Sequence, residues 1–95
     1  MPEMHFYVEW PDGKQVSYYS PSLVVKKYFE ISESYSISDF LERSRESLNI
    51  ASDRVKAKFG FPCSLAMGSL QSIERAAAEY GDRSDGMVKV IQFTE

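Results

Sequence analysis

One cysteine stands in the 95 residues. No intramolecular disulfide can form, and no cysteine cage can hold a metal. Histidine is as scarce, with His5 alone. A metal site would need three carboxylates converging beside it, and Glu30, Glu33 and Asp39 straddle a loop without ligand spacing. No apolar run approaches the ~20 residues that cross a bilayer. Residues 1–10 alternate rather than running basic then apolar, so no signal peptide is expected there. A basic excess is missing too. Eleven Lys and Arg face fourteen Asp and Glu, a net charge of −3, which speaks against a dedicated nucleic-acid binder. Lys58-Phe59-Gly60-Phe61 lacks the spacing of a phosphate loop, and the acids of Asp82 to Gly86 lack the spacing and the closing Glu of a calcium loop. The expectation is a cytoplasmic protein with no cofactor and no membrane or nucleic-acid partner.

What is present is ordinary for a packed domain: 43% hydrophobic and 26% charged residues, with six Phe, six Tyr and one Trp. The length fits one domain, residues 1–95. Met4, Phe6, Val8 and Trp10 alternate with His5, Tyr7 and Glu9, a half-buried strand. In Trp10-Pro11-Asp12-Gly13-Lys14, Pro presets the turn, Asp can bond its own backbone, and Gly accepts positive φ. A three-residue loop with Gly13 left-handed sets the register: Val8 opposite Val16, Phe6 opposite Tyr18, Tyr7 opposite Ser17 and His5 opposite Tyr19.

Ser20-Pro21-Ser22 suits the start of a short helix with Leu23, Val24, Lys27 and Tyr28 on one face, although Leu23-Val24-Val25 also fits an extended run. Ser32 to Ser38 reads as a loop. Ser38 is expected to cap a helix in which Leu41, Ser44, Leu48, Ala51, Val55 and Phe59 recur, stopped by Gly60. Asp39 and Arg43 are spaced to pair. After the Phe61-Pro62-Cys63 link a second helix begins near Ser64, with Ala66, Leu70, Ile73, Ala77 and Tyr80 on one stripe and Gly81 as its stop. Met87 to Thr94 is a last strand whose mixed alternation implies burial on more than one side or contact with a partner. The order implies an α+β domain. A small antiparallel sheet, the N-terminal hairpin plus the C-terminal strand, is covered on one face by two antiparallel helices.

Candidate chemistry is thin. Cys63 lies at or just before a helix N-terminus, where a thiol can become a nucleophile, but a lone cysteine is more often a small buried hydrophobe. His5 suits a cross-strand pair with Tyr19 better than a base or ligand. Arg43, Arg54 and Lys58 share one flank of the long helix, and Arg45 and Lys56 the other. Either set could grip an anion or an acidic partner, yet Glu42, Glu46 and Asp53 are interleaved with them, so solvated flanks are the simpler reading. Tyr7 and Tyr19 form an aromatic face on the hairpin, the kind of patch that marks a protein interface.

Several stretches resemble a known family: Met1-Pro2-Glu3-Met4-His5-Phe6, the Trp10–Gly13 turn, Tyr19 to Lys26, Asp39 to Arg45, and above all Ile50 to Ser64. Together they resemble a family of small bacterial nitrogen-starvation response proteins. Its members are encoded beside a nitrilase in a cluster that also holds a radical-SAM enzyme, an acetyltransferase-like protein, a flavoprotein and an aminoimidazole-ribonucleotide-synthase-like protein. The resemblance implies an accessory role in nitrogen metabolism and carries no reaction or catalytic residues. The expected function is therefore a non-catalytic accessory or binding protein. Its expected partner is a protein of that cluster or a second copy of the chain. Cys63, Arg43, Arg54, Lys58, Tyr7 and Tyr19 are the candidate partner or ligand surface. The alternatives are a small thiol-dependent enzyme or carrier using Cys63, and a nucleic-acid-binding regulator.

Overall fold

A computed structural model of the chain describes residues 3–61, 63–80 and 86–95. Met1, Pro2, Pro62, the Gly81 stop and residues 82–85 of the last loop lie outside the described residues. The elements are β1 (Met4–Glu9), β2 (Gln15–Ser20), a 3-10 helix (Leu23–Lys27), β3 (Ser34–Ser36), α1 (Ile37–Phe59), α2 (Ser64–Tyr80) and β4 (Met87–Thr94). The four strands form one antiparallel sheet in the order β2-β1-β4-β3.

The hairpin follows from its turn. Gly13 adopts φ +89°, the left-handed region where glycine carries no Cβ penalty. Its N–H donates to the Trp10 carbonyl and the Trp10 N–H to the Lys14 carbonyl, both at 2.8 Å. That geometry gives the register expected from sequence, from Met4 opposite Ser20 to Glu9 opposite Gln15. One face of β1 therefore presents Met4, Phe6 and Val8 to the core, where they join Tyr18, Val88 and Val90. Phe40 and Leu48 of α1 and Leu70, Ile73 and Ala77 of α2 cover them. Phe29 sits at the centre, 5.1 Å from the Phe40 ring and 6.0 Å from that of Phe6.

Five details differ from the sequence reading. The serine-rich stretch is not simply a loop: Ser34–Ser36 pairs with Met87–Lys89 as an edge strand. The Ser32 N–H donates to the Val90 carbonyl at 2.7 Å and the Val90 N–H to the Glu33 carbonyl at 3.0 Å, lengthening that attachment. The cap of α1 is Ser36 rather than Ser38. Its Oγ accepts from the Asp39 N–H at 3.2 Å, and the helix starts two residues early because Ile37 is buried. The buried stripe of α1 is Ile37, Phe40, Ser44, Ser47, Leu48, Ala51 and Ser52. Leu41 and Val55 lie at its margin and Phe59 is exposed. The short helix of Leu23–Lys27 is of 3-10 type, so Val24 and Val25 are buried while Lys27 faces water. Finally, the mixed alternation of β4 comes from a bulge. Val8 pairs with Val90 but Tyr7 with Gln92, which leaves Ile91 as the extra residue and shifts the inward position to Phe93.

The helices run antiparallel. The Cys63 N–H, just before α2, donates to Ser52 Oγ at 3.2 Å, and farther along Arg45 of α1 meets Glu74 of α2 at 3.2 Å. Small side chains at Ala51, Ser52 and Ala66, all buried, sit in the two helices' buried faces. Because Cys63 lies beside Ser52, residues 53–59 extend α1 past the start of α2 by about 10 Å at 1.5 Å per residue.

Candidate functional site

Two of the candidate cations are occupied by the fold. The Arg43 Nε sits 3.1 Å from both Asp39 carboxylate oxygens, and its Nη1 donates to the Tyr28 carbonyl at 2.7 Å. Its guanidinium also lies over the Tyr35 ring, 4.9 Å from the centroid. Arg54, eleven residues on along the same flank, donates from Nη1 to Ser22 Oγ at 3.0 Å. Ser22 caps the start of the 3-10 helix and Tyr28 its end. The pair thus holds that segment at both ends against α1. The sequence spacing was read correctly, but Arg43 and Arg54 find their partners within the chain itself, a backbone carbonyl and a serine hydroxyl.

Tyr7 and Tyr19 lie on the face of the sheet away from the helices, both half-buried, with His5 exposed beside them. The His5 and Tyr19 rings meet edge to face at 5.7 Å, as the register required. The Tyr19 hydroxyl donates to Glu3 at 3.1 Å. Loss of water contact, that hydrogen bond, the Glu3 charge and lastly Cys63 push the phenol up to about 12. The Cys63 thiol is half-buried at the mouth of the helical link. Tyr7 and Tyr19 belong to the open sheet face, Cys63 to the helical link, and Arg43 and Arg54 to the 3-10 helix. Lys58 points over the Phe59 ring, 5.7 Å from its centroid, at the far end of α1. The six candidates do not form one site.

That far end carries a feature the sequence reading missed. Phe59, Phe61 and Leu65 are 56%, 65% and 63% exposed, at the end of α1, in the link and in the first turn of α2 respectively. Gly60 forms the turn at φ +89°, its N–H donating to the Lys56 carbonyl at 2.8 Å. Lys56 and Lys58 stand in the last turn of α1 beside them, with Lys58 over the Phe59 ring. The sequence contains no Asp or Glu between Asp53 and Glu74, although acids outnumber bases in the chain as a whole. The end of the helical hairpin thus exposes three large apolar side chains within seven residues of sequence, with two lysines just before them. Two signals were available in the sequence: aromatic residues on both sides of a helix-stopping glycine, and a twenty-residue stretch free of carboxylates.

A second feature lies at the other end of α2. A recess of about 260 Å³ opens between β2 and the last turns of that helix, with Trp10, Tyr18 and Tyr80 among its walls. The Trp10 and Tyr80 rings stack at 5.5 Å and 7°, and the indole Nε1 donates to the Tyr18 hydroxyl at 3.1 Å. Among the described residues, no group of three or more His, Cys, Asp or Glu side chains is placed to hold a metal ion. Likewise, no helix among them is long and apolar enough to cross a membrane.

A family model described as nitrogen starvation-induced protein NitG matches residues 5–93 of the chain. No curated protein and no solved structure matches it. The match covers nearly the full sequence, and the chain belongs to that nitrogen-starvation family.

Proposed function

We propose that this member of the nitrogen-starvation family is a non-catalytic accessory protein that docks onto a protein partner through the tip of its helical hairpin. The observation that supports the reading is the exposure of Phe59, Phe61 and Leu65 inside a carboxylate-free, cationic stretch. Covering a large apolar side chain is worth about 1.5–3 kcal/mol. Three of them exposed within seven residues suit contact with an apolar partner surface better than random scatter.

The two lysines specify the edge of that surface. Lys56 and Lys58 call for acidic residues beside an apolar centre, which would speed encounter and fix orientation. Docking of two copies tip to tip would set one pair of lysines against another, so a different protein fits better than a second copy. The proteins whose coding sequences accompany the family by resemblance, the nitrilase and the radical-SAM enzyme first among them, are the partners to try. The proposal assigns the chain itself no reaction.

The test is retention of each purified neighbour on the immobilised chain at low and high salt. One neighbour should be retained. The triple variant Phe59→Ser, Phe61→Ser, Leu65→Ser should weaken it at least about tenfold, the equivalent of 1.4 kcal/mol. Salt should weaken it as well, since the lysines contribute at long range. Retention of none of them, or equal retention by the triple variant, rules the reading out. So does tight binding of the tip to anionic lipid vesicles with no protein partner.

A further inference from the structure

The recess beside α2 has the makings of a small-molecule site independent of the hairpin tip. Its floor is aromatic and buried. Trp10 is 2% exposed and Tyr18 5%, with the half-buried Tyr80 ring stacked flat on the indole. Its rim brings two cations from separate elements. Lys14 comes from the end of the hairpin turn, and Arg75 from α2. Among the described residues, neither has a carboxylate within salt-bridge distance. Glu79 lies on the same rim, and Asp12 is close enough to act on both Tyr80 and Lys14. Two carboxylates thus stand near the two cations, and Arg75, on α2, is the cation outside the hairpin turn that carries Asp12.

The hydrogen-bond inventory adds a third element. The Tyr18 oxygen accepts from the Trp10 indole N–H, which uses its acceptor side. Its own O–H has no acceptor among the described residues. Lining the recess, that O–H is a donor an acceptor group of a ligand can take up. Burial pushes this phenol up, with the indole hydrogen bond partly opposing, so the donor proton is held at neutral pH. A flat wall, a waiting O–H donor and two cations at the mouth are complementary to one kind of molecule.

We infer that this recess binds a small planar organic carboxylate. The ring or conjugated body lies against the Trp10–Tyr80 wall, and the anionic oxygens face Arg75, Lys14 and the Tyr18 hydroxyl. The volume suits a ligand of metabolite size, being equivalent to roughly eight or nine waters at ~30 Å³ each. Arg75 supplies forked donors that match a carboxylate, whereas Lys14 contributes a mobile point charge.

Trp10 is the only tryptophan, so its indole N–H gives a single resonance that reports directly on the floor of the recess. The experiment titrates the full chain with benzoate, and in parallel with benzamide, its uncharged counterpart of the same shape. Benzoate should move the indole signal saturably, with a dissociation constant on the order of millimolar for so small a probe. Benzamide should bind at least about tenfold more weakly. Arg75→Gln should weaken benzoate about tenfold and Lys14→Gln about threefold, while Glu79→Gln should tighten it a few-fold by removing a like charge. All three residues are on the surface or rim, and unchanged remaining spectra verify that each variant is folded. Equal affinity for benzoate and benzamide overturns the proposal, as does the absence of any saturable indole shift. The variants at the hairpin tip should leave this titration unchanged, so its failure is separable from failure of the docking test.

Discussion

The guanidinium of Arg43 donates to the backbone carbonyl of Tyr28 at 2.7 Å while resting on the Asp39 carboxylate one turn before it. A long, flexible cation is thereby used as a bracket between α1 and the end of the 3-10 helix. Arg43→Ala should lower stability by about 1–2 kcal/mol, chiefly through the lost charge-assisted bond to the carbonyl. The half-exposed pair with Asp39 adds little. Arg43→Lys should recover only part of the loss, because an ammonium cannot serve both partners in the same forked geometry. Urea denaturation of the three proteins measures the series.

Ser44 is completely buried in α1, and its Oγ has no hydrogen-bond partner. The hydroxyl has given up water and received nothing in exchange. Ser44→Ala should therefore raise stability by about 1 kcal/mol, and the midpoint of thermal unfolding should rise with it. An unchanged or lowered midpoint would show that the hydroxyl has a partner not apparent from the geometry.

Ser32 holds φ at +73°, the one described non-glycine residue in that region. It does so because its N–H must reach the Val90 carbonyl. A left-handed residue with a side chain costs about 1–2 kcal/mol, while glycine loses about 0.5–1 kcal/mol in chain entropy. Ser32→Gly should thus gain up to about 1 kcal/mol, whereas Ser32→Val should lose more than that. Chemical denaturation of both variants gives the comparison.

Alkaline pH should loosen the fold through its tyrosines. Tyr19 and Tyr80 are both pushed up to about 12, mainly by loss of water contact, with Glu3 and Asp12 respectively adding to the effect. In the unfolded chain the same phenols release their protons near 10. Between those values the folded protein holds more protons than the unfolded one, so stability falls as pH rises. The contribution is intact below about pH 10 and gone by about pH 12. Unfolding midpoints at about pH 9 and about pH 11 should differ, and Tyr19→Phe or Tyr80→Phe should narrow the gap.

The parts legible in the sequence were those governed by local rules. The Trp10–Lys14 turn dictated the hairpin register, Gly60 marked the helix stop, and the Asp39–Arg43 spacing delivered its ion pair. The parts that escaped depend on distant residues. Ser34–Ser36 becomes a strand only because Met87–Lys89 lies alongside. The position of the α1 stripe is fixed by the sheet it covers, which buries Phe40 and leaves Phe59 outside. Helical periodicity alone makes Phe59 part of the core stripe, and so conceals the exposed tip. The recess was hidden for the same reason, since Lys14 and Arg75 are sixty-one positions apart and share a mouth only after β2 has packed on α2.

The strand order has a consequence for how the molecule is made. Met87–Thr94 is the only described segment that joins the hairpin to Ser34–Ser36. A chain shortened before Met87 would keep a two-stranded ribbon, marginal by itself, and a detached serine-rich segment that nothing anchors. Its aromatic floor would then meet water, inviting association with other incomplete copies. The sheet is accordingly whole only when β4 lies between the hairpin and Ser34–Ser36.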